Sequence, residues 1–178
     1  ISGECEIIFK KKGRPKIKYN YTLLKREPDS ADRQGFSQAD VIYLITPDRY
    51  ANGDPGNDSS FQLKEKQNSL NKDGRHGGDI QGIIDHLDYI SDMGFTQIWL
   101  NPVLENDQHT YSYHGYSTTD YYNIDARFGN NELYKVLSKE AKKREIGLVM
   151  DLILNHIGSE HWWMKDLPTI DWINNDGK

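Results

Sequence analysis

Three groups of residues in this chain of 178 residues have side chains and spacings suited to chemistry. The first is Asp151, Asn155 and His156, set in the apolar run Leu148-Val-Met-Asp-Leu-Ile-Leu-Asn-His156. A run that apolar predicts a strand buried on both faces, with the acid where it emerges. An acid buried there unpaired would cost several kcal/mol, so Asp151 must face a partner or a polar cleft. The second is Asn52-Gly-Asp54-Pro-Gly-Asn57-Asp58, with Gly77 (through its carbonyl) and Asp79 further on. Hard cations take six to eight oxygens, which such a set could supply. Asn-Gly and Asp-Pro-Gly are also turn chemistry, and Asp79 also fits a helix cap, so a calcium site and plain turns both stand. The third is Tyr111-Ser-Tyr-His114-Gly-Tyr116-Ser-Thr-Thr-Asp120-Tyr-Tyr122, which combines aromatic rings with a histidine and an acid. Such rings stack on sugars or serve as ordinary core. A loop histidine is more often a surface residue than a catalyst.

The elements that must position these groups alternate. Val41–Ile45 predicts a first strand, ended by Thr46-Pro47. Asp79 fits the N-cap of one helix with Ile80, Ile83, Ile84, Leu87 and Ile90 at helical spacing, and Gly94 fits its C′ position. Phe95–Leu100 is a second strand. Asn130 or Asn131 caps another helix, with Leu133, Val136, Leu137 and Ala141 on one face and Gly147 ending it; Lys139, Lys142, Lys143 and Arg144 complement its dipole. The third strand leads to Asp151. This is a parallel α/β pattern, in which ligands bind at the C-terminal ends of the strands. Three strands and two helices do not close a parallel barrel, and the long loops after the first two strands favour a piece of something larger. Ahead of them, residues 3–10 and 16–24 predict a hairpin around Lys12-Gly-Arg-Pro15. Two strands alone are marginal, so they are expected to be the tail of a β domain.

Composition sets bounds. Charged residues make up 28%, hydrophobic ones 36%, and the net charge is -5, which gives no basic excess to suggest nucleic acid. The one basic run, residues 10–18, reads as a solvated turn. No apolar run approaches the ~18 residues that span a membrane. The chain opens without a signal-peptide pattern, so a targeting sequence is expected to be absent or already removed. The lone Cys5 excludes an intrachain disulfide and a multi-cysteine metal site. No Ser/His/Asp arrangement, phosphate-cradling glycine loop or zinc spacing is present. Spacing alone leads to an α/β protein that binds polyols or a metal and is hydrolytic in one reading.

At these residues the chain resembles the α-amylase family of glycoside hydrolases, particularly its cyclomaltodextrinase/neopullulanase branch. Val41-Ile-Tyr-Leu-Ile-Thr-Pro-Asp-Arg-Tyr-Ala-Asn-Gly-Asp54 resembles that branch's first barrel strand and metal loop. Gly94–Val103 resembles its second strand, and Tyr113-His-Gly-Tyr116 with Thr119-Asp-Tyr121 its substrate-loop motif. Asp151-Leu-Ile-Leu-Asn-His156 matches its first signature segment. The resemblance runs in unbroken order from about residue 31 to 164.

It implies the first part of a (β/α)8 TIM barrel. Residues 1–26 would be the end of an N-terminal β-sandwich, 27–39 a linker, and 40–178 the front of the barrel. Asn52, Asp54, Asn57, Asp58, Gly77 and Asp79 would bind calcium. Tyr116 would stack on the sugar at the cleavage subsite, and His114, Asp151 and His156 would hydrogen-bond its hydroxyls. Asn155 would brace that loop; in many α-amylases its counterpart binds a different calcium. Ser117 departs from the family, which often has tryptophan there. The resemblance places all three catalytic carboxylates on later strands, none of them within these residues, so the chain alone is expected to be inactive and its open sheet edge poorly stable. The expected partners are an α-glucan oligosaccharide or cyclodextrin, the rest of the catalytic domain, and a second copy in a homodimer. The branch has periplasmic and cytoplasmic members, with the periplasm favoured here. The alternatives in other classes are a non-catalytic, transporter-associated relative and a calcium-stabilised sugar-binding module.

Overall fold

Alternating side chains and a turn with Gly13 at φ 74° give the antiparallel hairpin of β1 (Gly3–Phe9) and β2 (Ile17–Leu23), in register from Gly3 opposite Leu23 to Phe9 opposite Ile17. This computed structural model describes residues 2–33, 35–169 and 171–174. The chain divides into two compact units, Ile1–Gly35 and Phe36–Lys178. Within the first, Ile17, Tyr19, Tyr21 and Leu23 remain exposed.

The second unit is built on a parallel three-stranded sheet, β3 (Ile42–Ile45), β4 (Gln97–Leu100) and β7 (Gly147–Met150), in the order β3-β4-β7. Between them lie α1 (Ile80–Asp85), α2 (Leu87–Asp92), the short ribbon of β5 (Leu104–Glu105) with β6 (Asp120–Ile124), and α3 (Asn131–Lys143). The parallel α/β architecture is the one the alternation of elements predicts, and it is that of the front of a TIM-type domain, as the resemblance implies. No helix among the described residues is long and apolar enough to cross a membrane.

Register explains which side is core. Ile45, Ile98 and Leu100 fall on one face and pack with Ile80, Ile83, Leu87, Ile90, Leu137 and Ala141. Each of these leucines and isoleucines contributes about 1.5–3 kcal/mol on burial. The opposite face carries the row Leu44, Trp99 and Val149, with Leu44 56% and Trp99 39% exposed. The strands are therefore not buried on both faces as their apolar runs predict. Helices cover one side only, and Met150, Leu152 and Leu154 are also exposed.

The first predicted helix is two. The His86 ring Nδ1–H donates to the Gly82 carbonyl at 2.7 Å, and its amide turns back to Ile83 O at 3.1 Å, which breaks the ladder between α1 and α2. The caps hold as read: Asp79 accepts from Gly82 N at 2.6 Å, Asn130 from Leu133 N at 2.8 Å, and Gly94 sits at φ 83°. Gly147 does not end α3. Glu145 takes the left-handed position at φ 59°, with Ile146 N returning to Ala141 O at 3.0 Å. Gly147 instead opens β7, where a Cβ would run into the Gln97 side chain. On α3, Leu137 and Ala141 are buried and Leu133 and Tyr134 partly so, whereas Val136 is exposed.

Candidate functional site

The residues singled out after the second and third strands meet. β7 delivers Asp151 to the uncovered side of the sheet, two positions beyond Val149 and so on the same face as Trp99. The Trp99 indole N–H donates to Asp151 Oδ2 at 3.3 Å, and the Tyr116 hydroxyl donates to the same oxygen at 3.0 Å. Burial, then this bond and the carboxylate's charge, push the Tyr116 phenol up, so it keeps its proton. The His114 ring lies 5.8 Å from the Tyr116 ring, and its Nδ1 accepts the Tyr116 amide at 2.9 Å. That bond fixes the neutral tautomer with the proton on Nε2. Burial pushes His114 down, against the charge of Glu65.

His156 closes the group. Its Nε2–H donates to the Tyr116 carbonyl at 2.9 Å, which leaves Nδ1 to accept from Asn155 Nδ2 at 3.5 Å. The loop that carries them is tied down by the Tyr121 hydroxyl, 2.7 Å from Ile153 O and 3.0 Å from His156 O, and by Gly158 N to Thr118 O at 2.8 Å. The result is a ring face, a neutral imidazole, a carboxylate and a second imidazole on adjoining loops. Such a group can stack on a pyranose and hydrogen-bond its hydroxyls. A hollow of about 530 Å³ adjoins His156 and Asn155 and is otherwise lined by Leu154, Ile157, Trp163 and Trp172 among others; Tyr116, His114 and Asp151 do not border it.

The oxygen-rich loop also folds onto itself. Asp79 caps α1, and its carboxylate further accepts Gly53 N at 3.1 Å, Asp54 N at 2.9 Å and Asn57 Nδ2 at 3.1 Å. Asn52 Nδ2 donates to Asp58 Oδ1 at 2.7 Å. Burial pushes the Asp58 carboxyl up; the Asn52 bond opposes this, and the charges of Asp79, Asp54 and Asp48 add to it. Gly77 lies so near that a Cβ would stand 2.6 Å from Asp58 Oδ1 and 2.8 Å from Asn52 Nδ2. Asn57 Oδ1 is buried without a donor. An unanswered acceptor beside crowded carboxylates, with amide and backbone oxygens around them, fits a hard cation. No cluster of three or more His, Cys, Asp or Glu converges on one metal position among the described residues; the set expected from the resemblance counts amide and carbonyl oxygens as well.

The sequence gives no advance signal for the buried charges between the long loops. Arg127 grips Asp125 with Nε to Oδ1 at 2.8 Å and Nη2 to Oδ2 at 2.7 Å, both side chains fully buried. Burial alone would raise the Asp125 carboxyl, but Arg127 and Arg75 outweigh it and hold it below the usual range. Only the ordinary-looking Asp-Ala-Arg-Phe-Gly129 spells this pair.

Against known proteins, the sequence profile of the alpha amylase catalytic domain matches residues 44–172. The chain belongs to the α-amylase family. A beta/alpha-amylase of Paenibacillus polymyxa is 44% identical over 142 residues, 76% of this chain and 12% of that protein. Neopullulanase 2 of Thermoactinomyces vulgaris is 36% identical over 128 residues, 71% of this chain and 21% of that protein. Among solved structures, an Anoxybacillus α-amylase superposes with TM-score 0.64 at 42% identity, covering 71% of this chain and 26% of its own. The chain thus spans a minor part of the length of the α-amylase relatives it matches. At the family level it is related to glycoside hydrolases that act on α-glucans.

Proposed function

We propose that this chain supplies the sugar-gripping front of a retaining α-glucan hydrolase of the cyclomaltodextrinase/neopullulanase branch. It would act on α-1,4-glucosidic bonds of cyclodextrins or malto-oligosaccharides. One observation carries the reading: Tyr116, bonded to Asp151 at 3.0 Å and held through its carbonyl by His156 at 2.9 Å, joins the substrate-loop motif to the signature segment at the strand ends. Sugar stacks on the Tyr116 ring, the Nε2–H of His114 donates to a hydroxyl, and Asp151 accepts from one. Asn155 steadies the loop behind His156. A carboxylate from later sequence attacks the anomeric carbon, and a second protonates the leaving oxygen and then activates water.

Asn52, Asp54, Asn57, Asp58, the Gly77 carbonyl and Asp79 would hold calcium, whose charge would relieve the crowding of Asp54, Asp58 and Asp79 and cross-link the loop to the start of α1. The complete protein is a periplasmic enzyme in this reading and works alone or as a homodimer.

The test is an assay of the complete protein on cyclodextrin, pullulan and starch side by side. Release of maltose or glucose, fastest from cyclodextrin, is expected. No cleavage of any α-glucan, with the full sequence lacking acids at later strand ends, would overturn the reading in favour of a non-catalytic relative.

A further inference from the structure

Between the long loops, one small side chain is held more completely than its size explains. Ser112 is fully buried, and each of its polar atoms meets a side chain from a different segment. Its amide donates to Glu65 Oε2 at 2.7 Å, its Oγ accepts from Arg75 Nη1 at 3.1 Å, and its carbonyl accepts from Asn106 Nδ2 at 3.2 Å. Ser112 opens the tight turn Ser112–His114, which is flanked by two left-handed residues, Tyr111 at φ 60° and Gly115 at φ 82°. The conformation at Tyr111 is unfavourable for a residue with a Cβ and persists only where surroundings over-determine it. Gly115 has no alternative, because a Cβ would strike the Pro102 carbonyl. The next residue, Tyr113, lies under the Arg49 guanidinium at 3.9 Å. Arg75 itself is buried, 3.7 Å from Asp48 and 4.6 Å above the Phe128 ring, so it cannot swing away without leaving a charge unanswered.

We propose that Glu65 and Arg75 are positioning residues: through Ser112 they set the turn that aims His114 and Tyr116 at the sugar. The proposal rests on the sugar-binding reading above and deepens it. A carboxylate on the Ser112 amide and a guanidinium on its hydroxyl fix the backbone two and four residues ahead of the two contact side chains. Preorganisation of this kind is paid in advance and returns as affinity.

The test uses the complete protein, with maltotriose as the probe. Glu65→Ala is expected to weaken maltotriose binding about tenfold, measured by calorimetry well below the melting temperature. Glu65→Gln, whose amide oxygen still accepts from Ser112, should return it to within about threefold. A role in global stability alone would move melting but leave the affinity of the folded protein unchanged. Binding by Glu65→Ala within twofold of the parent overturns the proposal. Hydrogen exchange at the Tyr116 amide, which donates to His114, provides an independent readout: at least tenfold faster exchange in Glu65→Ala supports the anchor, and unchanged exchange refutes it. If the parent binds no maltotriose, the sugar reading fails, and this exchange measurement alone decides the anchor. Should Glu65→Ala not fold, Ser112→Ala is read by the same two measurements.

Discussion

The Tyr116 hydroxyl and Asp151 Oδ2 are 3.0 Å apart, although 35 residues separate them in the chain. This one bond joins the loop after β4 to the end of β7, and with the Trp99 indole it gives the carboxylate two donors on one oxygen. Both donors leave Asp151 Oδ1 untouched.

That division separates two contributions of Tyr116. Tyr116→Phe keeps the ring and loses a hydrogen bond to a charged group, a loss of about 1.5–3 kcal/mol at most. In the complete protein, kcat/KM on maltotriose should fall roughly tenfold for Phe, and roughly a hundredfold for Ala, which loses the stacking face too. Asp151→Asn and His156→Ala should each cost at least about tenfold. Kinetics equal to the parent for all four would remove these residues from the sugar site.

Calcium is checked by taking it away. A cation present at a hundredfold excess over its Kd stabilises by about 2.7 kcal/mol. Because the shift per kcal/mol shrinks as the domain grows, chelator should lower the melting temperature of the complete protein by about 5 °C or less, and calcium should restore it. Asn57→Ala, which deletes the buried unpaired oxygen, should abolish the shift. A melting curve indifferent to chelator, with no metal found by elemental analysis, assigns residues 52–58 to turns.

His161, which is buried, and His114, which is half-buried, make stability depend on pH in a definite direction. Burial lowers both His114 and His161 below the ordinary 6.5. The unfolded chain therefore binds more protons than the folded one as pH falls through 6.5, and stability drops over that window. Above 6.5 this contribution is fully present. Ring-proton titrations should give both midpoints below 6.5, and the urea midpoint should decrease from pH 7 to pH 5. A ring midpoint at or above 6.5 contradicts the shift at that ring.

Much of this was legible in the sequence. Periodicity and caps located the sheet strands and α3, and the aromatic loop and the Asp151 segment fall on neighbouring strand ends as parallel topology requires. The helix break was hidden, because His86 interrupts the ladder through its own ring, which hydrophobic spacing does not register. The exposed face of the sheet was hidden too, since an apolar run looks alike whether one or both faces are covered. Glu145 in a glycine-like conformation left no signal, and Gly147 drew the helix end to the wrong place. The grip on Ser112 depends on Glu65 and Arg75, 47 and 37 residues away, and on the nearer Asn106, all polar residues of no distinctive pattern.

The guanidinium of Arg127 has a further consequence for how the molecule assembles. Its acceptors are the Glu65 carbonyl, 62 residues away, the Asn106 carbonyl, 21 away, and the adjacent Asp125. The near partner is available at once, but the remote two arrive only after both long excursions have closed, and closure of that kind is slow. Burying this cation without those carbonyls would leave it short of acceptors, a cost that falls on any collapsed arrangement in which the excursions have docked incorrectly.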